Sequence, residues 1–321
     1  MALQTAQELS ITMATCARLL PSNRAGGEGR RHLITFFVPL VLLGWTLGLG
    51  VTGLAEPHDL EVAAKSRRVH AFFYLWYGTP EVDGKWQHWN HEVLAHWDAS
   101  LQDKYPADGV RYLPPADVHS PFYPMRGCYS SRDAQVTRAQ LRELLGAGVG
   151  VVVLSWSGRP DMPGTHDTQG ISTDSLILKV MDIAHEEGMQ VALHLEPYHG
   201  RTALTVSEDF GYIVDKFGAH PALHRTAAGR GAGDTRELPV VYVYDSYRIS
   251  IREWQQVLLP LRTKSVRNTA RDVFAIGLWL QAHDGDQLYE SGFDGAYTYF
   301  ASDGFTYGST IRKAPHYVFG I

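Results

Sequence analysis

Cysteine is scarce in this chain, which has only Cys16 and Cys128 in 321 residues. Two cysteines cannot form a disulfide framework or supply a cysteine-rich zinc site. Concentrated positive charge is also missing, because the 29 lysines and arginines are outnumbered by 34 aspartates and glutamates. No basic stripe stands out, so we expect no nucleic acid partner. No G-x-G-x-x-G follows the first predicted strand and no Walker sequence occurs, so nucleotide binding has no support.

Aromatic residues and histidine are plentiful, with 8 Trp, 16 Tyr and 15 His that cluster in the middle of the chain. The overall composition, 45% hydrophobic and 20% charged, is that of a globular protein. The length allows one large domain or two small ones, since a single α/β barrel takes about 250 residues. A polar ligand that is stacked and hydrogen-bonded fits this composition.

Residues 33–55 form an uncharged apolar run that is long enough to cross a bilayer as a helix. Arginines precede the run, at Arg24, Arg30 and Arg31, and acidic residues follow it. The positive-inside rule then predicts a cytoplasmic tail over 1–32, a transmembrane signal-anchor over 33–55 and a luminal stem over 56–68. A cleaved signal peptide is the alternative, because Gly53-Leu-Ala55 resembles a cleavage site.

From residue 69 onward, predicted strands and helices alternate. Apolar runs predict strands, and amphipathic segments with glycine stops predict helices. The predicted strands are Val69–Tyr77, Val149–Trp156, Met189–Tyr198, Leu238–Asp245, Val273–Leu280 and Gly295–Ala301. The predicted helices are Asp133–Leu145, Thr173–Glu187, Ser207–Phe217, Ile249–Leu261 and Gln287–Ser291.

Six βα-like units in a row predict an α/β fold with a parallel sheet and right-handed crossovers. A doubly wound sheet and a (β/α)₈ barrel are the two ways to arrange such units. Polar and aromatic residues follow five of the strands, which favours a ring of strand ends around one site, as in a barrel. The chain is too short after Thr310 for two further units, so we expect an incomplete (β/α)₈ TIM-type barrel over 69–310.

The strand ends suit a carbohydrate ligand, because sugar C–H faces stack on aromatic rings while hydroxyls need donors and acceptors. Glu196 is the first candidate carboxylate, with a structural salt bridge as its alternative role. Asp245 is the second, and capping of the following segment is its alternative. Glycosidic cleavage requires two carboxyl groups around one bond.

His88, Trp89 and His91 form a cluster in the long loop after the first strand. A sugar contact and a structural role are both open for it, whereas metal binding lacks an obvious third ligand. Trp156 is either a stacking platform or a core residue. Regular strand alternation places His194 on the same face as Glu196, which suggests a joint polar role.

Several segments together resemble the glycoprotein endo-α-1,2-mannosidase family. They include Phe73-Tyr-Leu-Trp-Tyr-Gly78, His194-Leu-Glu-Pro-Tyr198, Tyr242-Val-Tyr-Asp-Ser-Tyr247 and Ser291-Gly-Phe-Asp-Gly-Ala-Tyr-Thr-Tyr-Phe300. The resemblance implies a (β/α)₈ barrel and a retaining enzyme that cuts a Man-α-1,2-Man link inside glucosylated high-mannose N-glycans. It implies a single-pass type II protein of the Golgi membrane, with its barrel in the lumen. No metal or organic cofactor is implied.

The chain departs from this family in one respect that matters for chemistry. The family's catalytic carboxylates lie in an Asn-Glu-Trp-His-Glu sequence, and no Glu-Trp-His-Glu occurs here. Glu253-Trp254 is followed by two glutamines and falls in a predicted helix, so it is not this motif. The motif resemblance stops near Ser309, and residues 311–321 are expected to be a divergent tail.

The chain is therefore expected to hold no catalytic pair and to be inactive. It would instead be a membrane-tethered glycan-binding protein or a non-functional product. The residues that the resemblance assigns to sugar binding are Tyr77, His88, Trp89, Trp156, Glu196, Tyr198, Tyr244 and Asp245.

Overall fold

A computed structural model describes residues 13–14, 16–18, 67–95, 100, 102–103, 109–120, 122–167, 169–231, 233–299 and 306–307. The predicted membrane segment 33–55, most of the predicted stem and the predicted tail 311–321 lie outside these residues, as does most of 1–32. Within the described part of the chain, no helix is both long enough and apolar enough to span a membrane.

Nine strands form one sheet system, in which six strands run parallel. The parallel strands are neighbours in chain order, as the sequence predicts for successive βα units. In chain order the strands are β1 (Met13–Ala14), β2 (Cys16–Arg18), β3 (His70–Phe73), β4 (Val151–Trp156), β5 (Gln190–Leu195), β6 (Arg225–Ala227), β7 (Glu237–Val243), β8 (Phe274–Leu278) and β9 (Gly295–Tyr297).

Three short strands are antiparallel additions that the sequence did not predict. β6 pairs with β7, while β1 pairs with β3 and β2 pairs with β9 at the two edges of the parallel sheet. The parallel strands β3 and β9 are shorter than predicted. β3 ends at Phe73, so Tyr74 to Tyr77 leave the sheet and are free to shape the site above it.

The helices follow the strands in the order expected for an α/β protein. They are α1 (Pro80–Asp83), α2 (Ala134–Gly146), α3 (Asp174–Glu186), α4 (Ala203–Phe217), α5 (Ile251–Leu258) and α6 (Asp284–Ser291). Asp133 caps α2 as predicted, by accepting from the backbone N–H groups of Gln135 and Val136. The helix predicted over 207–217 begins earlier because Thr202 and Thr205 form a capping box.

Glu253 and Trp254 both lie in helix α5. Ser250 and Glu253 form a reciprocal capping box at its start, and Trp254 is buried with its Nε1 donating to the carbonyl of Ser246 at 3.0 Å. Glu253 is thus occupied in holding a helix end. This confirms the prediction that these two residues belong to a helix, not to a catalytic strand end.

The parallel sheet is curled, so that side chains of its first and last strands meet on the concave face. The rings of Phe72 on β3 and Tyr297 on β9 lie 5.7 Å apart. Alternate residues of each strand point to opposite faces. Those on the concave face form an inner core around Phe72, Val153 and Tyr242. Those on the convex face pack under the helices in a larger outer core.

Candidate functional site

A cavity of about 1270 Å³ opens at the carboxyl ends of the parallel strands. The segments that follow β3, β4, β5 and β7 form most of its wall, and the segment after β3 includes the long loop. Nine of the lining residues carry aromatic or imidazole rings, namely Trp76, Tyr77, His88, His91, Tyr112, His119, His166, Tyr198 and His199. Cavities that combine aromatic walls with a few polar groups at this end of a parallel sheet are typical of enzyme and ligand sites.

Glu196 lines this cavity and follows directly on the last residue of β5. Its Oε1 accepts hydrogen bonds from Ser155 Oγ at 2.8 Å and from His194 Nδ1 at 2.9 Å. Because both bonds converge on one oxygen, Oε2 has no hydrogen bond within the described residues. The carboxylate is therefore fixed in place with one oxygen available to a ligand. The contact with His194 is a salt bridge when that imidazole is protonated, so the alternative role of Glu196 as a structural salt-bridge partner stays open.

His194 lies on the same face as Glu196, as strand alternation predicts, and is 1% exposed. Its Nε2 is 2.7 Å from the hydroxyl of Tyr297 on β9. The ring of Tyr244 lies 5.1 Å from the imidazole, and that of Tyr299 stacks on it at 5.8 Å. His194 thus lies between Glu196 and Tyr244 on the concave face and contacts both.

His88 forms a second part of the wall. It adopts a left-handed backbone conformation (φ 58°) and stacks on Trp76 at 4.4 Å with an interplanar angle of 9°. Its Nε2 is 2.6 Å from Asp167 Oδ2. Burial alone would raise the pKa of the Asp167 carboxyl, but hydrogen bonds from His88 and from the backbone of Ile171 and Gln169 hold that pKa below its usual value.

Tyr77 also lines the cavity, and its ring stacks on Trp89 at 4.2 Å. Trp89 itself is 2% exposed and donates from Nε1 to the carbonyl of Tyr129 at 2.8 Å. It is not part of the cavity wall. The prediction that Trp89 contacts sugar therefore needs correction, because Trp89 supports Tyr77 from behind.

Trp156 lies on the convex face of β4 and is fully buried in the outer core. Its Nε1 donates to Asp174 Oδ1 at 3.0 Å, and its ring stacks on Tyr212 of α4 at 5.7 Å. Strand alternation explains the placement, since Ser155 points into the cavity and its neighbour must point away. The structure thus gives Trp156 a core role instead of the predicted sugar contact.

Tyr198 presents its ring to the cavity, while its hydroxyl is used by the protein. The hydroxyl lies 2.6 Å from Asp209 Oδ2, to which it donates, and 2.9 Å from the hydroxyl of Thr205. Burial raises the pKa of Tyr198, and the Asp209 carboxyl raises it further. Tyr198 can therefore offer a ligand its ring face but not its hydroxyl.

Tyr244 and Asp245 lie at the end of β7, beside the cavity but not among the residues that line it. Their carbonyl oxygens both accept from Arg201, at 2.7 and 2.9 Å. Asp245 has a left-handed backbone (φ 50°) and precedes a short 3₁₀ helix, Ser246–Arg248, without a capping bond from its side chain. The capping role considered for Asp245 is thus absent.

Ser155, Asp167, Arg201 and Tyr297 are residues of this region that the sequence did not single out. Ser155 could have been found, because alternation along β4 turns it to the face of Glu196. Asp167 and Arg201 lie in loops whose course no local pattern predicts. Within the described residues, no group of three or more histidine, cysteine, aspartate or glutamate side chains is arranged to hold a metal ion.

Comparison with known proteins identifies the lineage of this site. A model of glycosyl hydrolase family 99 matches residues 64–317, which includes seven residues of the segment expected to diverge. A glycoprotein endo-alpha-1,2-mannosidase of Rattus norvegicus is 42% identical over 245 residues, covering 76% of this chain and 51% of the relative. A glycoprotein endo-alpha-1,2-mannosidase-like protein of Homo sapiens is 41% identical over the same shares.

A solved structure shares the fold. It is that of the GH99 endo-alpha-mannosidase from Bacteroides thetaiotaomicron, with a TM-score of 0.62 and 36% sequence identity. The similarity covers 75% of this chain and 64% of that chain. The chain described here spans about half the length of the curated relatives it matches. The family resemblance inferred from the motifs is thereby confirmed.

Proposed function

This chain belongs to glycosyl hydrolase family 99, and on that premise we propose that its cavity binds the α-mannosyl part of a high-mannose N-glycan. The observation that carries the proposal is the carboxylate of Glu196, which is fixed by two hydrogen bonds and leaves one oxygen for a sugar hydroxyl. Tyr77 and Tyr198 supply rings for the apolar sugar faces. The names of the relatives support mannose as the sugar.

We further propose that the 321-residue polypeptide binds this glycan without cleaving it. Retaining and inverting glycosidases generally need two carboxyl groups around the scissile bond. Two carboxylates line the cavity in the described part, Glu196 and Asp167. Both oxygens of Asp167 are already engaged, Oδ2 by His88 and Oδ1 by backbone N–H groups. Asp167 is thus poorly placed to act as an acid or a nucleophile, and the 321 residues contain no Glu-Trp-His-Glu sequence.

The remaining expectations from the family stand as parts of the same proposal. The six parallel strands would be the first part of a (β/α)₈ barrel. Residues 33–55 would anchor the chain as a type II protein in the Golgi membrane, with residues 69–310 in the lumen. The glycan and the membrane would then be its partners.

Binding is tested by titrating the full chain in detergent with Man-α-1,2-Man and, as the epimeric control, Glc-α-1,2-Glc. We expect binding of the mannobiose with a dissociation constant on the order of 1 mM, equivalent to about −4 kcal/mol. Glu196→Gln should weaken it about tenfold, whereas Glu237→Gln, at the opposite end of the sheet, should not. Equal affinity for both sugars, or no effect of Glu196→Gln, would contradict the proposal.

Catalysis is tested separately with a glucosylated high-mannose glycan. We expect no released oligosaccharide above background from the full chain, beside a complete family member at the same concentration. Release of product that disappears in Glu196→Gln would show that Glu196 belongs to an active catalytic pair, and the proposal of a non-cleaving chain would then be wrong.

A further inference from the structure

A chain of three side chains runs across the concave face of the sheet and ends at the cavity. Tyr297 on β9 contacts His194 on β5 through a 2.7 Å hydrogen bond, although β7 and β8 lie between their strands. His194 in turn contacts Glu196 at 2.9 Å. Tyr297 and His194 are each 1% exposed, so no solvent competes for their hydrogen bonds.

The direction of these hydrogen bonds follows from the chemistry of the three groups. An ionised carboxylate can only accept, so Nδ1 of His194 has to be the protonated nitrogen that donates to Glu196. A neutral imidazole then has an unprotonated Nε2, which accepts from the Tyr297 hydroxyl. Burial raises the pKa of Tyr297 well above its ordinary value, so this hydroxyl keeps its hydrogen.

The structure assigns Tyr297 as a positioning residue that fixes the tautomer of His194 and thereby holds Glu196 for sugar binding. The hydroxyl of Tyr297 favours the Nδ1–H form, because Nε2 of His194 is the one acceptor for its hydrogen in the described part of the chain, and an Nε2–H form would leave that buried hydrogen without a partner. Loss of that hydroxyl leaves Glu196 as the remaining group that selects the Nδ1–H form, so the preference for this form falls and the hold on Oε1 weakens. The last part of this inference, the effect on sugar, rests on the proposed function.

The tautomer can be read directly from the free chain. Two-bond ¹H–¹⁵N correlation spectra of ¹⁵N-histidine-labelled protein distinguish a protonated from an unprotonated ring nitrogen, and His194→Asn assigns the signals. We expect His194 with Nδ1 protonated at neutral pH. In Tyr297→Phe, we expect the His194 signals to move toward a mixture of tautomers.

Tyr242→Phe is the matched control. Tyr242 is also buried on the concave face and its hydroxyl contacts a histidine nitrogen, His70 Nδ1, at 2.8 Å. Tyr242 neighbours His194 on the adjacent strand, and this variant removes the same atom from the same core while it leaves both hydrogen bonds of His194 in place. It should leave the His194 tautomer and the mannobiose affinity unchanged, even where it lowers stability as much as Tyr297→Phe does.

In the sugar titration, Tyr297→Phe should weaken mannobiose binding about fivefold to tenfold, a loss of about 1 to 1.4 kcal/mol. In the Glu196→Gln background, the same substitution should have little further effect, because the two residues act through one contact.

An Nε2-protonated His194 in the parent chain, or unchanged His194 signals in Tyr297→Phe, would overturn the inference. If Tyr297→Phe does not fold, the parent chain still tests the inference, because a protonated Nε2 there would show that the Tyr297 hydroxyl does not donate to His194. Failure of every variant to bind mannobiose would refute the proposed function, whereas the tautomer measurement needs no sugar.

Discussion

The hydroxyl of Tyr242 donates to Nδ1 of His70 at 2.8 Å, although two strands separate β7 from β3 in the sheet. The second ring nitrogen of His70 lies 3.2 Å from the carbonyl of Arg67, to which it donates. The ring of His224 meets His70 edge-on at 4.9 Å, and its Nδ1 lies 2.7 Å from Gln190 Oε1. Two buried neutral imidazoles thus lie at the end of the sheet opposite the cavity.

The first prediction is that this pair makes the fold sensitive to acid. Burial lowers the pKa of His70 to about 4 and that of His224 to about 3. Unfolded histidine titrates near pH ~6.5. Below that pH the unfolded state binds protons that the folded state does not bind. The free energy of unfolding therefore falls as the pH drops from about 6.5 toward 4.

The expected loss is about 1.4 kcal/mol per pH unit for each histidine once the pH is below ~6. Urea unfolding at pH 7 and pH 5 measures it. His224→Gln should lower the number of protons taken up on unfolding at acidic pH by nearly one, and the slope of stability with pH should fall accordingly. His283→Gln, which removes an exposed histidine, should leave this slope unchanged. An identical slope in His224→Gln and the parent chain would contradict this origin of the acid sensitivity.

The second prediction concerns Arg267, which is 6% exposed and joins α5, β8 and β9. Its guanidinium donates to Asp272 and to the carbonyls of Leu258, Val273 and Gly292, and forms a 3.0 Å ion pair with Asp294. Arg267→Met leaves two buried carboxylates with fewer partners. We expect a loss of about 3–5 kcal/mol in the free energy of unfolding.

Arg262→Met provides the control, because Arg262 is exposed on the same connection. Its expected effect is within about 0.5 kcal/mol. Both variants are compared by urea unfolding at one pH. If Arg267→Met were as stable as the parent chain, apolar packing of the methionine would make up for the lost ion pairs, and the contacts of Arg267 would not be needed for stability.

The third prediction separates core from cavity at Trp156. Trp156→Phe removes the hydrogen bond to Asp174 and leaves a void under α4, so we expect a loss of about 1–3 kcal/mol in stability. Mannobiose affinity should stay unchanged. Tyr77→Ala should behave in the opposite way and weaken binding. If Trp156→Phe bound mannobiose more weakly at a temperature where the variant is fully folded, Trp156 would have to contact the sugar, and its assignment to the core would be wrong.

Periodicity predicted the elements well and the site only in part. The six parallel strands were found because apolar runs such as Val151–Leu154 are buried on both faces, which leaves a clear signal. Alternation also paired His194 with Glu196 correctly. Trp156 and Trp89 were misplaced because an aromatic residue at a strand end or in a loop gives no signal of whether it faces the ligand or the core. Asp167 reaches His88 from 79 residues away, a distance over which local patterns carry no information.

The fourth prediction concerns the side of the membrane on which each part of the chain lies. The proposed anchor puts Cys16 in the cytosol and Cys128, which is partly exposed in the folded domain, in the lumen. The pairing of β2 with β9 instead places Cys16 beside Tyr297, on the same side as the domain. The two arrangements exclude each other, and the two cysteines are the residues that report on them.

The experiment treats sealed microsomes that contain the full chain with a membrane-impermeant maleimide, before and after detergent. For a type II anchor we expect Cys16 to be labelled in sealed vesicles and Cys128 only after detergent. Cys16→Ser and Cys128→Ser assign the label to each site, and an alkaline pH favours reaction because burial raises the pKa of the Cys128 thiol. Protection of both cysteines would refute the anchor and support the strand pairing. A mature chain that lacks Cys16 and begins near Glu56 would identify residues 33–55 as a cleaved signal peptide.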